Sequence, residues 1–263
     1  MTHSVAPNLD VFMNYEYEVN LKGESAAAAV IRFVKPNSKV LEIGAGSGAI
    51  AKHIVETNSC KVVAVENNPS SVEKLKKICD SVHALDLNNV EWPKVLSKTG
   101  KFDYVIAADV LEHVYNPWAV LKNMKSMLNE TGSIILSLPH AGHSSVLTSF
   151  YCGDVEYREW GLLDKTHIRF FGLHNVEGLY ESAGLAIVRC HFVFIKPQHT
   201  EFADRWKSLP SEVRRVFGNR RYANIYQIVT EAVPIERASK RITLESCLPE
   251  MPFVRKFFNI FRK

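Results

Sequence analysis

The sequence predicts an α/β fold, a doubly wound and mostly parallel sheet with helices on both faces. Three observations point there. Short apolar runs alternate with helix-patterned stretches between residues 23 and 138. Most of these runs are apolar throughout, as in strands covered on both sides. The first run passes into its helix through a glycine-rich turn, Glu42-Ile43-Gly44-Ala45-Gly46-Ser47-Gly48. Such alternation implies parallel strands joined by right-handed crossovers.

Taken in order, residues 23–34 (GESAAAAVIRFV) form an alanine-rich helix stopped by Pro36 and Asn37. Residues 39–43 are the first strand and 49–57 a helix. Residues 61–66 (KVVAVE) are the second strand, followed by a helix over 69–77. Residues 81–85 make a short third strand and 102–108 (FDYVIAA) a fourth. A helix over 117–128 carries Ala119, Val120, Met124, Met127 and Leu128, and 133–138 (SIILSL) is the fifth strand. The rhythm then breaks. Residues 139–172 are polar and aromatic without clear periodicity, and a segment of that length is usually functional. A helix over 173–183 ends at Gly184. Two more strands follow at 185–195 and 223–233, with a small helical insertion between them at 196–222. One domain is therefore expected over 1–233, with a peripheral basic extension over 234–263.

Bulk properties narrow the class. The 263 residues fit one large α/β domain with an appendage. Hydrophobic residues at 46% and charged residues at 23% are ordinary for a soluble globular chain. No apolar run reaches 18 residues, which argues against a membrane span, and the first 20 residues lack the pattern of a secretory signal. Five scattered cysteines with no CxxC pair argue against a disulfide framework or a zinc site and favour a reducing, cytoplasmic setting. Residues 201–263 hold 13 Lys/Arg against 7 Asp/Glu, while the rest is slightly acidic. That asymmetry is too weak for a nucleic-acid footprint. It reads either as contact with an anionic membrane or substrate, or as a solvated basic surface.

The glycine turn opens a helix whose free N–H groups favour anionic or polar ligands. Alone it is a weak signal, since dinucleotide enzymes use one too. Here Gly44, Gly46 and Gly48 are preceded by Glu42, unlike a dinucleotide loop, and Ala49 stands where that pattern would place its last glycine. Glu42 is suited to an ammonium group, directly or through water. Twenty residues past Gly46, the second strand ends in Glu66, placed to accept two ribose hydroxyls. Asp86 follows the third strand and is placed to accept an adenine amino group. A solvated strand end explains any one of these acids; the ordered set of three is harder to explain that way.

These residues, with Phe102-Asp103-Tyr104-Val105-Ile106 and Ala108-Asp109-Val110-Leu111-Glu112-His113-Val114, resemble a class I S-adenosylmethionine-dependent methyltransferase over roughly residues 15–233. The resemblance implies a Rossmann-like seven-stranded sheet, mostly parallel with one reversed strand, and S-adenosylmethionine as cofactor. It places Glu42, Gly44, Ala45, Gly46, Gly48, Glu66, Asn67, Asp86, Leu87, Ala108, Asp109 and His113 around that cofactor. Tyr15 and Tyr17 fall where this fold often carries a lid; packing of an N-terminal arm is the alternative. Residues 137–143 (SLPHAGH), 160–171 (WGLLDKTHIRFF) and 177–184 are similar to a subgroup that accompanies glycosyltransferases in polysaccharide and lipopolysaccharide biosynthesis. That subgroup carries proline-asparagine where this chain has Pro139-His140.

Methyl transfer needs an aligned nucleophile, and a hydroxyl nucleophile needs a proton acceptor. His143, Asp164 and His167 are the candidate catalytic residues. One helical turn over 164–167 would put Asp164 beside His167 as an oriented base. A structural network is the alternative, as is a divalent cation shared with His143; no metal centre is otherwise expected. Arg169 suits an anionic acceptor or a salt bridge to Asp164 or Asp154. The expected activity is O-methylation of a sugar hydroxyl in a glycan or glycan precursor. Small-molecule O- or N-methylation, and a non-catalytic cofactor-binding scaffold, are the alternatives. The aromatic-basic helix expected over 252–263 reads as peripheral membrane contact or as docking on protein.

Overall fold

The computed structural model describes residues 19–250. Tyr15, Tyr17 and the segment 252–263 lie outside the described residues. In chain order the elements are α1 (Ala26–Phe33), β1 (Lys39–Ile43), α2 (Ala49–Asn58), β2 (Lys61–Val65), α3 (Pro69–Leu75), β3 (Ser81–His83), α4 (Trp92–Val95) and β4 (Phe102–Ala108). Then come α5 (Pro117–Ser126), β5 (Leu128–Pro139), α6 (Ser144–Tyr151), α7 (Leu173–Ser182), β6 (Leu185–Phe194), α8 (Ala203–Ser208), α9 (Ser211–Gly218) and β7 (Ile225–Pro234). One seven-stranded sheet has the order β3-β2-β1-β4-β5-β7-β6. The first five strands run parallel, and β7 is antiparallel to both of its neighbours.

The period of two along each strand splits the core into two layers. Leu41, Ile43, Val63, Val65, Val105 and Ile134 face the side covered by α5 and α7. Val40, Val62, Ala64, Ile106 and Ile135 face the side covered by α1 and α2. α1 begins at Ser25, whose hydroxyl accepts the Ala28 N–H, and its alanines let the helix lie close to the sheet.

Three departures from the sequence reading have physical causes. α5 ends at Ser126, because Leu128 is taken by β5, where it pairs with Phe102. The segment 139–172 contains a helix, α6, whose buried face is mostly serine and threonine while Phe150 and Tyr151 are exposed, so apolar patterning does not mark its packed side. Residues after 234 are not merely peripheral as far as they are described. Leu244 is fully buried in the larger core, and its N–H donates to Glu177 Oε1 at 2.6 Å. No described helix is long and apolar enough to cross a membrane.

Candidate active site

The functional residues gather at the rim where β1 to β5 end. Strand β1 delivers Glu42, and the turn after it folds back so that the Gly44 and Ala45 N–H groups donate to the Val65 carbonyl at 2.8 and 3.2 Å. Gly44 has φ +63°, and a Cβ there would stand 2.6 Å from Val110 Cγ2, so only glycine lets the loops after β1 and β4 meet. A Cβ on Gly46 would meet nothing within 4 Å; that position faces open space in the groove. Gly48 does something else. It caps α2 at φ +87°, and a Cβ would lie 2.9 Å from Leu75 Cδ2. It lines neither cavity described below, and its place in the fold is helix packing. Gly48→Ala is expected to destabilise the fold by about 1–3 kcal/mol, read by urea denaturation. Cofactor affinity should change little where the variant is folded.

Glu66 is the organising acid. Its Oε2 accepts the Gly46 N–H at 2.7 Å, and its Oε1 accepts the N–H groups of Asn67 and Asn68, both at 2.9 Å. Glu42 is buried, and its Oε2 has no hydrogen-bond partner. Burial first, and then the nearby Glu66 charge, push its carboxyl up to about 8. Asp86 is exposed and caps its own turn, accepting the Asn88 N–H at 2.8 Å. Asn88 Oδ1 in turn accepts the Tyr115 N–H at 2.9 Å, tying the β3 loop to the start of α5.

Two adjoining cavities follow. The outer one, of about 530 Å³, is lined by Glu66, Asn67, Leu85, Asp86, Leu87 and Asn88 among others. The inner one, of about 220 Å³, is lined by Glu42, Ala45, Ala108, Glu112, Asp164, His167 and Tyr226 among others. They share Gly44, Gly46, Asp109 and His113. The outer cavity thus holds Glu66 and Asp86, and the inner one holds Glu42.

The far end of the inner cavity is walled by the segment 139–172. The Glu112 carbonyl accepts the N–H groups of Ile168 and Arg169 at 2.9 and 3.1 Å, which clips that segment over the rim. Asp109, at φ +55°, accepts from Ser137 Oγ at 2.7 Å and from Gln227 Nε2 at 2.9 and 2.8 Å. The Glu112 side chain is wholly buried, and neither of its oxygens has a hydrogen-bond partner. His167 Nε2 lies 3.9 Å from Glu112 Oε1, and the rings of His113 and His167 meet edge to face at 4.7 Å. Burial raises the Glu112 carboxyl well above the usual range and lowers both imidazoles.

The candidate catalytic trio is therefore split. Asp164 and His167 line the inner cavity, but they sit in a turn and not in a helix. The Asp164 carboxylate accepts from the Thr166 N–H at 2.8 Å and hydroxyl at 2.7 Å, while His167 faces Glu112. His143 is not part of the site. Its ring is buried at the start of α6, where Nδ1 accepts the Ser145 N–H at 3.0 Å and Nε2–H donates to the Ile195 carbonyl at 2.8 Å. Both nitrogens are used, and the role it plays is a helix cap. Arg169 reaches neither Asp164 nor Asp154 in a salt bridge; its guanidinium donates to the Tyr115 carbonyl at 2.5 Å and lies over Trp118. Sequence reasoning missed Glu112, Tyr226 and Gln227. Glu112 had a signal in the Leu-Glu-His triplet, whereas nothing local marks the other two.

The profile of the family described as "Methyltransferase domain" matches residues 17–189. Pavine N-methyltransferase of Thalictrum flavum subsp. glaucum is 29% identical over 117 residues, 42% of this chain and 31% of that protein. A ubiquinone biosynthesis O-methyltransferase of Xanthomonas campestris pv. campestris is 28% identical over 109 residues, 40% of this chain and 45% of that protein. The chain thus spans less than half the length of these curated relatives. A solved SAM-dependent methyltransferase from Archaeoglobus fulgidus has the same fold, with a TM-score of 0.55 and 18% identity over 78% of this chain and 91% of that one.

Proposed function

The chain belongs to the Methyltransferase domain family, whose cofactor is S-adenosylmethionine, and from that premise we propose that it methylates a hydroxyl oxygen, that of a sugar in a glycan or glycan precursor. Bound S-adenosylmethionine supplies an electrophilic methyl group. The groove fits its parts: Glu66 for the ribose hydroxyls, Asp86 and Leu87 for the adenine, and the unpartnered Glu42 oxygen for the ammonium. Ala108, Asp109 and His113 line the groove between the two halves.

One observation carries the choice of a hydroxyl. Glu112, with both oxygens unpartnered, and the imidazoles of His113 and His167 line the inner cavity together, with His113 at its junction with the outer one. An acceptor hydroxyl must lose a proton as the methyl group arrives, and a polar basic cluster at that spot eases the loss. A neutral amine needs no such help before it attacks. The sugar is favoured by the likeness of residues 137–143 and 160–171 to the glycosyltransferase-associated subgroup, a segment that includes the cavity-lining Gly161, Asp164 and His167. A small phenolic acceptor is the second reading, favoured by the likeness to a ubiquinone biosynthesis O-methyltransferase.

The test has two arms. Purified protein and S-adenosylmethionine are offered nucleotide-sugars, lipid-linked glycans, phenols and amines, and S-adenosylhomocysteine release is measured. Transfer confined to amines would overturn the hydroxyl reading, and transfer confined to phenols would favour the second one. With the best acceptor, His167→Ala is expected to lower kcat at least about tenfold with S-adenosylmethionine affinity intact. Unchanged turnover would remove His167 from the chemistry.

A further inference from the structure

We propose that Glu112, His113 and His167 form a site for one divalent first-row cation. This ligand set differs from the one the sequence offered: Glu112 and His113 take the places of Asp164 and His143. The three residues each present a ligand atom, and these atoms lie within 4.8 Å of one another. Ligands at about 2.0–2.2 Å from one ion stand roughly 3–4 Å apart, so Glu112 and His167, at 3.9 Å, already have the required spacing. The His113 ligand atom lies within 4.8 Å of both.

The second, independent observation is the state of Glu112. Its side chain is 0% exposed, and neither oxygen meets a donor. A carboxyl group sealed from water without a partner is costly unless something charged satisfies it. A cation would do so.

The rings are held as metal-binding imidazoles are held. A carbonyl oxygen can only accept, so the contact of His167 Nδ1 with the Leu162 carbonyl, 3.4 Å, places the proton on that nitrogen. His113 Nδ1 likewise faces the Thr166 carbonyl at 3.3 Å and the Thr166 hydroxyl at 3.0 Å. That hydroxyl spends its own proton on Asp164 Oδ1 at 2.7 Å and therefore accepts from His113. Both Nε2 lone pairs are left free. An outer layer of carbonyls and a carboxylate that fixes the tautomer is the usual support of a metal-bound histidine, and here Asp164 belongs to that layer.

Two imidazole nitrogens and one carboxylate oxygen suit Mn²⁺, Fe²⁺, Co²⁺ or Zn²⁺ better than Ca²⁺. The other coordination positions would open on the inner cavity, where an acceptor hydroxyl bound to the ion would be polarised. That last role rests on the methyl-transfer reading above; the binding of the cation does not.

The experiment uses the full chain, stripped with EDTA and titrated with MnCl₂ by calorimetry and by electron paramagnetic resonance. One Mn²⁺ per chain is expected, with nitrogen couplings from two imidazoles in the pulsed spectrum. Glu112→Gln should weaken binding at least about tenfold, and Thr166→Val by about tenfold through the outer layer. Circular dichroism and urea denaturation of both variants report that each is folded. Absence of stoichiometric binding, or binding that both variants leave untouched, overturns the proposal. Two-imidazole Mn²⁺ binding without transfer to any hydroxyl upholds the site and overturns the reading of the reaction.

Discussion

Replacing Glu66 by alanine is expected to weaken S-adenosylmethionine and S-adenosylhomocysteine binding by at least about 100-fold. The carboxylate has two tasks. Toward the protein it accepts three backbone N–H groups, from Gly46, Asn67 and Asn68, and so pins the loop after β1 to the loop after β2. Toward the cavity, in the proposed reading, its remaining lone pairs would accept from the ribose hydroxyls. Hydrogen bonds to a charged group are worth about 1.5–3 kcal/mol each, and two of them lost from a bound ligand correspond to about 100-fold or more in Kd. The Gly46 N–H, left without its acceptor, adds to the loss. Glu66→Gln keeps one acceptor oxygen and should retain part of the affinity. Titration calorimetry of both variants, with circular dichroism to establish that each is folded, reads the result. Affinity within threefold of the wild type for Glu66→Ala would remove Glu66 from the ribose.

S-adenosylmethionine affinity is expected to rise steeply with pH up to about 8. The cause is Glu42, whose carboxyl is pushed up to about 8 by burial and by Glu66. Around pH 6 to 7 it therefore carries a proton in the free protein. An ammonium group placed against it favours the carboxylate and lowers its pKa, so the complex holds fewer protons than the free protein. Binding then releases a proton, and raising the pH strengthens it, by up to about tenfold per pH unit. The gain is complete once pH passes the free-protein pKa, near 8, where a ligand amine itself begins to lose its proton. Calorimetry in buffers of different ionisation enthalpy counts the released proton directly. Glu42→Gln should bind more weakly at pH 8 and lose the slope. A slope that survives this substitution would assign the released proton to another group.

The cofactor half of the groove was legible in the sequence because its residues stand where parallel strands end. Buried strands announce themselves as apolar runs; Glu42 lies near the end of the first, and Glu66 and Asp86 follow the next two. The place of Gly48 was less legible for a related reason. The glycine pattern does not distinguish a residue facing a ligand from one pressed against Leu75. The acceptor half was harder to read. Tyr226 and Gln227 come at the start of β7, and only the reversal of that strand brings its beginning to the rim where its neighbours end. His143 stands in a stretch without clear periodicity, and that its ring is buried as the cap of α6 is a property of the folded chain. Glu112 was visible within a motif, but the lack of any partner for its oxygens is a property of the folded chain.

The reversal of β7 also has a consequence for how the chain is made. Strand β6 pairs with β7 alone, and β7 is inserted between β5 and β6. While a ribosome is still adding residues before 225, β5 has an open outer edge and β6 has no strand to pair with. Exposed strand edges of this kind invite pairing with other chains. The sheet is completed only when the last strand slides in, so the nascent protein is most prone to aggregate just before synthesis reaches Pro234.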